Sequence, residues 1–161
     1  MISAMSEPHT RVMMLSVHPL HVNNILEGTK TVELRRTRPM IHPGQPVAIY
    51  ATAPSAAVVA TCRISDVEMG SPIAIWRSVQ TRCGVSRADF NDYYEGTDIA
   101  VALHLTDVRQ LAHEVALSHM RSQAGFHPPQ TWHFLDVHRL TKLIGTHPSS
   151  PAITSLLPAS S

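Results

Sequence analysis

The hydrophobic pattern of this chain switches repeatedly between strand and helix, and proline and glycine mark many of the switches. Residues 12–17, VMMLSV, are an apolar run of strand length. Residues 18–28, HPLHVNNILEG, carry helix signals: Pro19 suits the first helical position, Gly28 the stop, and Val22, Ile25 and Leu26 share one face. KTVELRR then alternates, with Val32 and Leu34 on one side and Thr31, Glu33 and Arg35 on the other. A Pro/Gly-rich turn over residues 39–46 leads to two further strands, VAIYATA and AAVVATCRISDVEM. Ser71-Pro72 opens a short helix, and Ser86 with Asp89 stands at capping-box spacing before another that Gly96 ends. DIAVALHLTDV is a long strand, a weakly marked helix is expected around residues 110–121, and FHPPQTWHFLDV sets two prolines before an aromatic strand. Short strands with interspersed short helices, no repeat and no regular βαβ alternation predict an α+β domain with a small barrel-like sheet.

The chain has 161 residues, 43% of them hydrophobic and 16% charged, which suits one folded domain with room for a core. Residues 1–11 are expected to be a flexible N-terminus. The Ser/Pro-rich end, HPSSPAITSLLPASS from His147, places a flexible tail over residues 141–161. No apolar run approaches the roughly 18 residues of a membrane span, and the N-terminus lacks a secretory pattern. Cys62 and Cys83, without C-x-x-C spacing, fit a reducing cytoplasm better than a disulfide framework. A near-neutral total charge excludes a general nucleic-acid coat protein, so any nucleic-acid contact has to be local.

One stretch supplies such a contact. Residues 30–38 hold Lys30, Arg35, Arg36 and Arg38 around a single acid, Glu33, while the rest of the chain is slightly acidic. Glu33 and Arg35 share a strand face about 6–7 Å apart. That face sets a hydrogen-bond acceptor beside a planar cationic fork, a pairing suited to a base amino group and a phosphate or carbonyl. Lys30, at the helix-to-strand junction, adds a point charge. The same spacing also fits a solvated ion pair worth about 0–1 kcal/mol. Arg36 and Arg38 flank the motif and extend a phosphate-contacting strip or a solubilising surface.

Gly28-x-Lys30-x-x-Glu33-x-Arg35 resembles the G-x-K-x-x-E-x-R signature of the ASCH domain family, in the PUA-like superfamily. LSVHPLHVNNILEGTKTVELRRTRP resembles the family's opening strand, helix and second strand. VAIYATAP, FNDYYEG and PPQTWHFL resemble later segments in the same order, so the likeness covers about residues 12–137. It implies a PUA-like small β-barrel of about five or six strands with short helices packed around it, over residues 12–140. It also implies a cleft lined by the signature strand that binds single-stranded RNA or a modified nucleoside. Members have been linked to RNA metabolism and transcription coactivation, and a few are enzymes. In a subgroup that hydrolyses acetylcytidine, the signature supplies a lysine and, three residues later, a threonine nucleophile. Lys30 matches the lysine, but Glu33 stands at the threonine position and Thr31 is out of place, which argues against that amidohydrolase.

Three functional readings therefore stand. The first is a cytoplasmic RNA- or nucleoside-binding module using Lys30, Glu33, Arg35, Arg36, Arg38 and Trp132, with no cofactor and no membrane partner. The second is a metal-independent ribonuclease or nucleoside hydrolase, with Lys30 and Glu33 in acid–base roles. The third is a transcription or translation regulator acting through protein contacts. Eleven histidines invite a metal, but none has the local spacing of a ligand pair, so no metal site is assigned. Among the aromatics, Trp76, Tyr93 and Tyr50 read as core, whereas Trp132, after Pro128-Pro129-Gln130, is the one expected to border the cleft.

Overall fold

The computed structural model describes residues 9–158. Its elements run β1 (Arg11–Val17), α1 (Pro19–Glu27), β2 (Val32–Arg35), β3 (Gln45–Ala51), β4 (Ala57–Gly70), α2 (Pro72–Val79) and α3 (Arg87–Tyr93). After these come β5 (Ala100–Ala116), α4 (Leu117–Gln123), β6 (Trp132–Asp136), α5 (Val137–Ile144) and α6 (Ser150–Thr154). The local signals act where expected. Gly28 caps α1 at φ 84°, and the Ser71 and Ser86 hydroxyls accept from the amides of Ala74 and Asp89.

The six strands form one mixed sheet in the order β2-β5-β4-β3-β1-β6, with β1 and β3 parallel and the other pairs antiparallel. Its class is the expected α+β, but the sheet is not closed into a barrel: β2 and β6 are its two edges. The long β4–β5 ribbon is bent by register shifts, one of them at Asp107, which takes φ 53°. Both faces of the central strands are covered, which is why β1 reads as an unbroken apolar run. Met13, Leu15 and Val17 face α1 with Ile49, Ile64 and Leu103, while Val12, Met14 and Tyr50 face a cluster completed by α4, α5 and α6. A third cluster packs α2 and α3 against Val32, Leu34 and Ala102.

Two expectations are corrected. Residues 110–116 continue β5 rather than opening a helix, because Gln110, Val115 and Ala116 pair with β4 across the sheet, and α4 starts only at Leu117. The segment from 141, expected to be a flexible tail, is helical over most of its length to Thr154. There Leu143, Ile144, Ile153 and Leu157 are buried in the core. A few apolar residues at helical spacing outweigh the Ser/Pro composition. At the other end, Arg11 already belongs to β1, and residues 1–8 and 159–161 of the two expected flexible ends lie outside the described residues.

Candidate functional site

All four residues of β2 are buried, and their alternation divides the strand's work. Val32 and Leu34 pack towards α2 and α3. Glu33 and Arg35 turn to the opposite face, where Leu103 and Val101, their partners on β5, belong to the interior cluster. Lys30 sits just before the strand, held there by its amide donating to the Asn24 carbonyl at the end of α1. Only 2% of it is exposed.

These three side chains meet. The Arg35 Nη1 donates to Glu33 Oε1 at 2.6 Å and to the Leu34 carbonyl at 2.8 Å, and its Nη2 donates to the Ser16 carbonyl at 2.7 Å. The last bond spans from the edge strand β2 to the C-terminal end of β1, two strands that share no backbone pairing. The Lys30 Nζ donates to the Cys83 carbonyl and lies 3.6 Å from Glu33 Oε2. Two cations thus bracket one carboxylate, and the triad by itself carries a net positive charge that Asp89 on the pocket wall balances.

They line a pocket of about 450 Å³, within the size range of small-molecule sites. Ser16, His18, Leu20 and His21 close one side, and the segment from Gly84 to Ser86, with Asp89 and Tyr93 of α3, closes the other. Among the described residues, Glu33 Oε2, Arg35 Nε and His21 Nδ1 are buried without a hydrogen-bond partner. An acceptor, a donor and a ring nitrogen of pocket-lining residues are therefore unmatched, and leaving such groups so is costly. A ligand carrying an N–H group next to an acceptor would match them.

Gly84 makes this geometry possible. It holds φ +68°, and a Cβ there would stand 3.2 Å from Lys30 Cδ. Gly84→Ala is expected to lower stability by about 1–2 kcal/mol from backbone strain alone and to push the Lys30 stem aside. Urea unfolding checks the first effect, and ligand titration the second.

Burial, followed by the nearby Lys30 charge, holds the His21 imidazole below its usual 6.5. The unfolded chain therefore takes up this proton before the folded one does. Above 6.5 the group contributes no pH dependence; below it, stability falls with falling pH until the folded pKa is passed. His21→Gln is expected to lose less stability than the wild type between pH 7 and 5.5, read from urea midpoints at the two values.

The remaining sequence candidates lie elsewhere. Arg36 is exposed at the end of β2 and donates through Nε to the Tyr93 carbonyl at 2.8 Å. Arg38 borders a separate, smaller hollow with Ile41, His42 and Asp66. Trp132 stands opposite Leu15 on the edge strand β6, packed against the interior cluster and outside the pocket lining. Tyr50 and Trp76 pack in the core or against it, Tyr50 only 3% exposed. Tyr93, expected in the core, is on the pocket's rim instead. Ser16, His21 and Gly84 are pocket residues that the sequence did not single out for this site. No group of three or more His, Cys, Asp or Glu side chains among the described residues is arranged to hold a metal ion. No described helix is long and apolar enough to cross a membrane.

Comparison with known proteins adds relatives to this geometry. The chain is 29% identical over 138 residues to the ASCH domain-containing ribonuclease of Zymomonas mobilis, covering 85% of this chain and 93% of that protein. The crystal structure of ASCH from Zymomonas mobilis matches with a TM-score of 0.77 and 28% identity, over 84% of this chain and 94% of that one. A stretch of 102 residues is 31% identical to the large ribosomal subunit protein uL22 of Ureaplasma parvum, covering 63% of this chain but only 32% of that protein. No protein-family model matches the chain.

Proposed function

This chain carries an ASCH domain, and from that premise we propose that it binds single-stranded RNA by taking one nucleotide into the pocket lined by Lys30, Glu33 and Arg35. The observation that carries this reading is the buried triad with its unmatched polar atoms. Glu33 Oε2 would accept from a base amino or ring N–H, Arg35 Nε would donate to a neighbouring carbonyl, and Lys30 would hold a phosphate or base oxygen. The relative named as a ribonuclease supports RNA as the ligand class. Binding needs no cofactor. The test is a titration of single- and double-stranded RNA and DNA at two salt concentrations, with strand cleavage followed in the same tubes. Single-stranded RNA is expected to bind and stay intact, with affinity falling as salt rises by a slope of about −0.7 per neutralised phosphate. Absence of RNA binding at low salt would overturn the proposal.

That relative's name also favours a second reading, RNA cleavage, for which the pocket's own side chains could serve without a metal. A base in the pocket, Glu33 or neutral His21, would take the 2′-hydroxyl proton. The oxygen would then attack the adjacent phosphorus while an acid such as Lys30 protonates the departing 5′-oxygen, leaving a cyclic phosphate. Cleavage in chelator that disappears in a folded Glu33→Gln variant would select this reading over simple binding.

A further inference from the structure

Beside the pocket, the end of β2 and the end of α3 hold a feature that the buried triad does not use. The Arg36 guanidinium lies over the Tyr93 ring, 4.8 Å from its centroid, and is fixed there by donating to the Tyr93 carbonyl. The ring is braced in turn: it packs edge-on against Tyr94 with centroids 4.8 Å apart, and its hydroxyl reaches the Leu34 carbonyl at 3.5 Å. Tyr93 is nonetheless 36% exposed, and Leu20, across the same pocket mouth, is 61% exposed. An ordinary solvated arginine would be disordered in water and would leave no large apolar side chains flanking it. Here a planar cation is held over an aromatic ring, with a second exposed apolar side chain on the same pocket.

We propose that Arg36, Tyr93 and Leu20 form a stacking shelf for the nucleobase next to the one in the pocket, so that the protein reads at least two consecutive nucleotides of single-stranded RNA. This rests on the RNA-binding reading above and extends it. Unpaired bases are held by stacking on aromatic rings and on guanidinium planes, with little regard to base identity, because every base has a π face. Tyr93 and Leu20 themselves border the pocket, so a base on the shelf would adjoin the one held inside. Charge alone would make Arg36 replaceable by lysine, whereas stacking needs the planar fork.

The experiment compares two probes, a single nucleoside monophosphate and a fluorescently labelled RNA hexamer of mixed sequence, on the wild type, Tyr93→Leu and Arg36→Lys. Leucine keeps an apolar side chain where Tyr93 packs, lysine keeps the charge, and thermal melts verify that both variants fold. The expected result is a loss of about 5- to 100-fold in hexamer affinity in each variant, the range of one base stack. In Arg36→Lys, whose side chain lies outside the pocket lining, mononucleotide affinity should stay within twofold and the salt dependence should be unchanged. Variants that hold the hexamer as tightly as the wild type overturn the shelf while leaving the pocket standing. An Arg36→Lys variant that weakens both probes equally overturns it as a separate subsite, and a wild type that binds neither probe overturns the pocket reading and the shelf together.

Discussion

Glu33→Ala is expected to destabilise the fold by about 3–5 kcal/mol, the scale for removing one partner of a buried ion pair. Lys30 and Arg35 would then stand in the pocket wall with no counter-charge. Their side chains are 1% and 11% exposed, so bulk water would replace little of the lost carboxylate's interaction with them. For a chain of this size that loss lowers the melting temperature by about 10 °C. Glu33→Gln retains the shape and an acceptor for the Arg35 Nη1, and should lose clearly less. Urea unfolding of the two variants at pH 7 separates these outcomes. A loss under 1 kcal/mol in the alanine variant would mean that the pocket is wet enough to screen its cations as a surface would.

The same triad marks the boundary of what the sequence makes legible. Lys30, Glu33 and Arg35 could be found because strand periodicity alone places Glu33 and Arg35 on one face, and a helix stop fixes where Lys30 begins. Ser71, Ser86 and Gly28 act on neighbours within a few residues, so their roles are equally readable. The misread parts depend on distant partners. Residues 110–116 are locally ambiguous and become strand only because β4 lies alongside. Ile153 and Leu157 sit in a Ser/Pro-rich background and are ordered by Leu143 and the rest of the core cluster. Gly84, His21 and Tyr93 reach the site from other elements, and no local spacing relates them to Lys30. Barrel closure fails for a similar reason. The wish of each strand to pair is visible in sequence, whereas the meeting of β2 with β1 is decided by the bends in the β4–β5 ribbon.

Where those two strands fail to pair, Arg35 joins them, and this makes Arg35→Lys the most informative conservative change in the protein. The guanidinium makes three donations at once, to Glu33, to the Leu34 carbonyl and across to the Ser16 carbonyl. A lysine ammonium could keep the charge beside Glu33 but has no fork with which to reach β1 at the same time. Losing that tie leaves the buried Ser16 carbonyl without its side-chain partner, and the expected loss is about 2–3 kcal/mol. The effect should be local as well as global. Amide exchange in β2, the short edge strand, should speed up more than in β3 or β4, because β2 would then be held on one side only, by β5. Since Ser16 and Arg35 adjoin in the lining of one pocket, RNA affinity should fall together with β2 protection, although the net charge is unchanged. Affinity that survives while β2 loosens would show that charge, and not the shape held by this bridge, governs binding.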